Sequence, residues 1–308
     1  MPTLSGNLAR GPVLPARIST PSDRRIRQKR TTRVWRGTGS ATHHRIWKDD
    51  GDGDRYMNSS RFIAAALALV AALQSAAPAA REFGGALSAR PVVHTETPAT
   101  PGRHRVGSAV LYVPQATAAD EPAPFLLLLH GAGGKGEDIF RTFKAQADKR
   151  GIILLAPNSS GRTWDVALTM GNRWTPPTFG RDVKRIDALL REAFVRVNVD
   201  PRRVAVAGFS DGASTALSLG THNVELFSAT LAFSAGGIVP QWNDVPSRVF
   251  FAHGTKDPIL PIAIARDSLA PALRASGFAV TFEAFDGGHE LPGPVLDLAM
   301  EWWLRTAQ

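Results

Sequence analysis

Val204-Ala205-Val206-Ala207-Gly208-Phe209-Ser210-Asp211-Gly212-Ala213 joins a continuous run of small and β-branched residues to the start of an amphipathic stretch, and sets Ser210 in Gly-x-Ser-x-Gly between the two. A serine hydroxyl is a poor nucleophile unless it stands clear of the backbone beside a base. A tight turn from strand to helix lifts it clear, but crowds the residues two positions to either side, where only small side chains fit; Gly208 and Gly212 fill those positions. The reading predicts a strand over 204–209 and a helix over 213–219.

The same alternation runs outward along the chain. Short apolar runs at 106–113, 125–129, 152–156, 229–233, 249–252 and 279–285 predict strands, and amphipathic stretches at 137–150, 182–197, 262–276 and 294–305 predict helices. Phe125-Leu126-Leu127-Leu128-Leu129 is apolar at every position, as a strand buried on both faces of a parallel sheet requires. The fold class is therefore α/β, with a mostly parallel central sheet flanked by helices on both faces.

A hydroxyl nucleophile needs a base, and the base needs a group to orient it. In an open α/β sheet the reactive groups gather beyond the carboxyl ends of the strands. Two loops in such positions follow Ser210: His253-Gly254-Thr255-Lys256-Asp257-Pro258, which offers Asp257, and Gly287-Gly288-His289-Glu290, which offers His289. His289 is read as the general base and acid, and Asp257 as the group that holds its tautomer. Asp286 lies too near His289 in sequence, and Asp244 precedes its strand. His253 reads as a hydrogen-bonded structural residue, His130 as a brace for the glycine loop after it, and His94, His104 and His222 as surface or loop residues. The oxyanion formed by attack on a carbonyl needs preset N–H donors. Leu129-His130-Gly131-Ala132-Gly133-Gly134 leaves a central strand and offers the N–H of Ala132 or Gly133, with that of Asp211 as the second donor. This loop lacks the Walker spacing and the Gly-x-Gly-x-x-Gly order of phosphate-binding loops. The Asp211 carboxylate suits the first turn of a helix and is expected to point away from the substrate. Trp164, Met170, Trp174, Pro176, Pro177 and Phe179 in the segment 158–180, together with Trp242, are candidate pocket walls.

Composition narrows the alternatives. The 308 residues contain no Cys, which excludes disulfides, a thiol nucleophile and a cysteine zinc site. The net charge of +9 is unevenly placed. Residues 1–56 hold 12 of the 36 basic and 5 of the 27 acidic residues, which leaves 24 and 22, a balance of +2, to the rest. The body of the chain thus lacks the electrostatic footprint of a nucleic-acid binder. Residues 1–56 have no apolar periodicity and read as a disordered basic leader lying upstream of a biological start at Met57. A nucleic-acid arm is the other reading of that leader, and salt-sensitive binding lost on its deletion would support it. The acidic cluster 49–54 lacks the Glu that a calcium loop carries at its twelfth position. Residues 57–80 have one positive charge, an apolar run from Phe62 to Leu73 and a small-residue end at Ala77-Pro78-Ala79, the pattern of a secretory signal peptide too short to span a bilayer. Residues 81–308 form the catalytic domain. No metal cluster or cofactor motif stands out.

At the segments 126–134, 208–213, 253–261 and 287–290 the sequence resembles the α/β-hydrolase superfamily, and within it the phospholipase/carboxylesterase branch that includes acyl-protein thioesterase-like enzymes. The resemblance covers roughly residues 105–305. It implies catalytic roles for Ser210, Asp257 and His289 and oxyanion donors at Ala132 and Asp211, the same residues reached above. Many members of that branch have a neutral residue in place of Asp211. Exported relatives include polyhydroxybutyrate depolymerase-like and feruloyl esterase-like enzymes. The expectation is an exported serine hydrolase, periplasmic or extracellular, that cleaves a small-molecule carboxylic ester without a cofactor. The alternatives are a thioesterase, phospholipase, polyester depolymerase or peptidase with the same three residues, or a non-catalytic α/β-hydrolase-like binding protein.

Overall fold

The computed structural model describes residues 84–92, 99–117, 121–170, 177–239 and 247–305. The leader and signal segment read over residues 1–80 lie outside them, as do His94, Trp174, Pro176, Trp242 and Asp244.

Eight strands form one sheet: β1 (Gly102–Val106), β2 (Ala109–Val113), β3 (Ala123–Leu129), β4 (Ile153–Ala156), β5 (Val199–Phe209), β6 (Ala229–Phe233), β7 (Arg248–Gly254) and β8 (Ala279–Phe285). Their order is β1-β2-β4-β3-β5-β6-β7-β8. The pairs from β4 through β8 are parallel, while β1 with β2 and β2 with β4 are antiparallel. The run 106–113, expected as one strand, is instead the end of one strand and the whole of the next. Gly107 takes φ 52 and turns the chain into a hairpin, a conformation with no steric cost for a residue without Cβ.

The helices are α1 (Gly136–Arg150), the short α2 (Asp165–Thr169), α3 (Arg181–Phe194), α4 (Asp211–His222), α5 (Ala270–Ala275) and α6 (Gly293–Arg305). A π-helical turn over Ile264–Leu269 leads into α5, so the expected helix 262–276 is not α-helical throughout. Pro271 stands in the first turn of α5, and a ring nitrogen has no hydrogen to donate to the preceding turn.

Every residue of β3 is buried, and its side chains divide between the two faces. Phe125, Leu127 and Leu129 join α3, Leu219 of α4 and Leu87 in one core, whereas Leu126 and Leu128 join Phe143 of α1 and Trp303 of α6 in the other. Each fully buried Leu stabilises the fold by about 1.5–3 kcal/mol. A third cluster packs Leu217 of α4 against Leu273 of α5 and Phe251. The strands β3 and β5 are neighbours, yet the helices that follow them, α1 and α4, pack on opposite faces of the sheet. The crevice between two such diverging loops is where ligands bind in open α/β sheets.

Candidate active site

Ser210 sits between β5 and α4 with φ 56 and ψ −121, a left-handed region that a residue with a Cβ enters only under strain. The turn is closed by backbone contacts. A Cβ on Gly208 would lie 2.1 Å from the Gly212 carbonyl oxygen, and one on Gly212 would lie 2.1 Å from the Leu129 carbonyl oxygen. The Ser210 N–H donates to Phe233 O at the end of β6 (2.9 Å), and Ser210 O accepts from the N–H of Ala213 and Ser214 (2.9 and 3.1 Å). The side chain is 9% exposed as part of the residue, and among the described residues its hydroxyl has no hydrogen-bond partner.

Beyond the carboxyl ends of β7 and β8, two loops are stitched together by Thr255 N–H to Phe285 O and Lys256 N–H to Gly287 O, both 2.9 Å. This stitching brings His289 Nδ1 within 2.7 Å of Asp257 Oδ2. The other carboxylate oxygen, Oδ1, accepts the N–H of Ile259 and of Leu260 at 2.9 Å each. Burial alone would raise the Asp257 pKa. The hydrogen bonds from His289 and from the Leu260 and Ile259 amides outweigh that effect and hold the carboxyl below the usual carboxylate range. The His289 ring packs on Phe209, centroids 4.7 Å apart, and Phe209 is the residue before Ser210. The imidazole is thereby packed against the residue that precedes Ser210 in the turn. A serine–imidazole hydrogen bond is often long in a free enzyme and tightens with substrate.

The glycine loop passes on the other side. A Cβ on Gly131 would be 3.4 Å from Ser210 Cβ, so loop and turn are in contact. Sequence reasoning left Ala132 and Gly133 open as the first oxyanion donor. The Gly133 N–H is engaged by Arg162 O (2.8 Å), and Gly134 N–H by Gly131 O (3.1 Å), whereas the N–H groups of Ala132 and Asp211 are unengaged among the described residues. His130 braces this loop as expected. Its Nδ1 faces Gly131 O (2.8 Å), its Nε2 accepts from Ser159 N–H (3.1 Å), and burial, partly offset by the Gly131 carbonyl, lowers its pKa. Asp211 turns its carboxylate onto Thr163, whose hydroxyl donates to Oδ2 at 2.7 Å.

A cleft of about 430 Å³ lies beside the nucleophile-type turn, lined by His130, Gly131, Ala132 and Gly134 of the glycine loop, by Asp138, Ile139 and Thr142 of α1, and by Phe209, His289, Glu290 and Leu291. Asp138, Ile139, Thr142 and Leu291 have no sign in the sequence of this place, because α1 and the residue after Glu290 carry no chemical motif. The aromatic residues that were expected as walls serve other ends where they are described. Trp164 is fully buried and donates its indole N–H to His130 O (2.7 Å), which ties the loop 158–164 to the glycine loop. Met170 packs over Gly237, and Phe179 over Gly85 and His222; Pro177 is half-buried, and no contact assigns it to the cleft. His222 itself is half-buried rather than a surface residue. Burial lowers its pKa to about 4, against a smaller opposing effect of the Ser218 carbonyl. Asp286 is exposed and paired with Lys256, away from His289's ring nitrogens. Among the described residues no group of three or more His, Asp or Glu could hold a metal ion, and no helix is long and apolar enough to cross a membrane.

A family model for Phospholipase/Carboxylesterase matches residues 115–302. A protein of Nocardia uniformis subsp. tsuyamanensis named as an esterase, NocK, is 30% identical over 154 residues, which are 48% of this chain and 44% of that protein. The chain thus spans under half the length of that relative. The feruloyl esterase C of Emericella nidulans is 26% identical over 215 residues, 59% of this chain and 75% of that one. The crystal structure of the Bacillus cereus carboxylesterase superposes with a TM-score of 0.50 at 24% identity, covering 65% of this chain and 94% of that one, and shares the fold. The nucleophile-type turn, the mostly parallel sheet and a family match over more than half of the residues lead to one assignment: the chain belongs to the phospholipase/carboxylesterase family of carboxylic ester hydrolases, on an α/β-hydrolase fold.

Proposed function

We propose that the chain is an exported serine esterase that works through an acyl-enzyme on Ser210. His289 Nε2 takes the Ser210 proton as Oγ attacks the ester carbonyl, and the oxyanion is met by the N–H groups of Ala132 and Asp211. The tetrahedral intermediate collapses as His289 delivers that proton to the departing alcohol. Water then repeats the sequence on the acyl-enzyme and releases the acid. Asp257 holds the proton on Nδ1 and stabilises the imidazolium. The observation that carries the reading is the 2.7 Å contact between Asp257 Oδ2 and His289 Nδ1, in a ring that also packs on the residue before Ser210.

The cleft has Ile139, Phe209 and Leu291 as apolar lining residues and Thr142, Asp138 and Glu290 as polar ones. This mixture suits an acyl group that is small or carries an aromatic ring with polar substituents, and a relative named as a feruloyl esterase fits the second case. Turnover of p-nitrophenyl esters of graded chain length and of methyl ferulate, set against peptide amides, tests the reading. The expected result is hydrolysis of short or hydroxycinnamoyl esters and none of amides; amide hydrolysis with inert esters would overturn it. Export rests on the signal-like segment 57–80, and Edman sequencing of the mature protein from its native source should begin near residue 81. A mature chain that retains residues 1–56 would exclude both export by this segment and a start at Met57.

A further inference from the structure

We infer that His253 is a positioning residue for Asp257 and, through it, for the His289 ring, an inference that rests on the esterase reading above. The two side chains are wholly buried, and His253 Nε2 lies 3.3 Å from Asp257 Oδ2, the oxygen that His289 Nδ1 approaches at 2.7 Å. The same His253 Nε2 is 2.7 Å from the carbonyl oxygen of Leu260. A carbonyl oxygen only accepts, so the ring proton resides on Nε2 and is donated to Leu260 O, while Asp257 Oδ2 lies beside the same nitrogen at 3.3 Å. Nδ1 is then a bare acceptor, and it is buried without a partner among the described residues.

An imidazole with one orphaned nitrogen is poor core filling, since a buried polar atom without a hydrogen bond destabilises the fold. Its presence is explained by what the other nitrogen does. Asp257 has no exposed surface on its side chain, so its carboxylate plane is set by the groups packed around it: the amides of Ile259 and Leu260 on Oδ1, His289 on Oδ2, and the His253 ring, which anchors Leu260 through its carbonyl and lies 3.3 Å from Oδ2. With His253 removed, the Leu260 carbonyl loses its donor and the ring beside Oδ2 is gone, so the Leu260 amide and the carboxylate it holds are free to shift. The remaining charged groups nearby are otherwise engaged. Lys256 pairs with Asp286 at 2.6 Å, and Glu290 Oε1 accepts the Gly288 N–H. His253 is wholly buried and does not line the cleft, so its part is that of a positioning residue rather than a catalytic one.

The test compares His253→Gln with His253→Asn in the full chain. The amide nitrogen of Gln reaches the place of the imidazole Nε2, whereas that of Asn stops at the place of Nδ1. Gln is expected to keep kcat within about threefold of the parent, and Asn to lower kcat by up to about 100-fold, the scale of a 1 Å misplacement, with KM within twofold in both. The acid limb of kcat/KM is expected to shift for Asn and to stay for Gln. An Asn variant with parental kcat, or a Gln variant that falls as far as Asn, would overturn the inference. A second readout needs no turnover: the low-field proton resonance of the Asp257–His289 hydrogen bond should move in the Asn variant and not in the Gln variant, and equal spectra would count against the role. Retention of hydrolysis by Ser210→Ala would sink the esterase reading separately, and the proton resonance would still decide for or against His253.

Discussion

Thr163 Oγ1 donates a 2.7 Å hydrogen bond to Asp211 Oδ2, so the acidic side chain beside the candidate oxyanion site is tied to the loop between β4 and α2. One of its carboxylate oxygens is directed at a hydroxyl, and the proposed role in the reaction falls to its N–H. Asp211→Asn keeps both the amide and an oxygen for Thr163. Its kcat/KM should stay within about tenfold of the parent, a barrier change of about 1.4 kcal/mol or less. Steady-state kinetics on a p-nitrophenyl ester decide the point, and a loss of 1,000-fold would give the carboxylate itself a part in the reaction.

Asp257→Asn replaces an acceptor of the His289 Nδ1 proton with a group able to donate to it, which favours the wrong imidazole tautomer. A fall in kcat of about 10⁴ is expected, with the melting temperature close to that of the parent. A variant with kcat near parental would remove Asp257 from the account.

Gly212→Ala puts a methyl group where the Leu129 carbonyl oxygen stands 2.1 Å away. The atoms in the way are backbone, so the turn between β5 and α4 has to open. Overpacking of this kind costs about 1–3 kcal/mol, and the opened turn should carry Ser210 out of register with its base. Thermal denaturation and ester turnover should both show the loss, and an active variant of parental stability would mean that the turn is not as tight as described.

His222 gives the fold a pH dependence of its own. Burial lowers its pKa from 6.5 to about 4, so between these values the unfolded chain binds the proton and the folded chain does not. The stabilisation is complete above about pH 6.5 and is lost as the pH falls toward 4, a contribution bounded at about 3 kcal/mol. Urea denaturation at pH 7 and pH 4.5 should show a smaller difference for His222→Leu than for the parent. Equal differences would contradict the assignment.

Much of the fold can be read from local pattern. The run 229–233 coincides with β6 and the all-apolar 125–129 lies within β3, because burial on both faces keeps these runs almost wholly apolar, while 279–285 coincides with the edge strand β8, whose apolar positions are interrupted by Thr281 and Glu283. The hairpin at Gly107 was hidden by apolar residues on both sides of a single turn glycine. In the candidate site, Ser210, Asp257 and His289, the proposed reacting groups, stand out in the sequence because each sits in a glycine-marked loop at a strand end. Thr163 is not, since a hydroxyl in a polar loop carries no sign of a partner 48 residues away. Trp164 was misplaced for a similar reason: an aromatic residue in a loop looks the same whether it faces the cleft or is drawn inward by the His130 carbonyl. The burial of His222 depends on Phe179, which arrives from a different part of the chain.

The most direct test is covalent labelling with a fluorophosphonate, followed by peptide mass spectrometry of the full chain. A single adduct on Ser210 is expected, formed in step with the loss of ester hydrolysis, slowed in His289→Ala and absent in Ser210→Ala. An adduct on another residue, or undiminished hydrolysis by Ser210→Ala, would contradict the account.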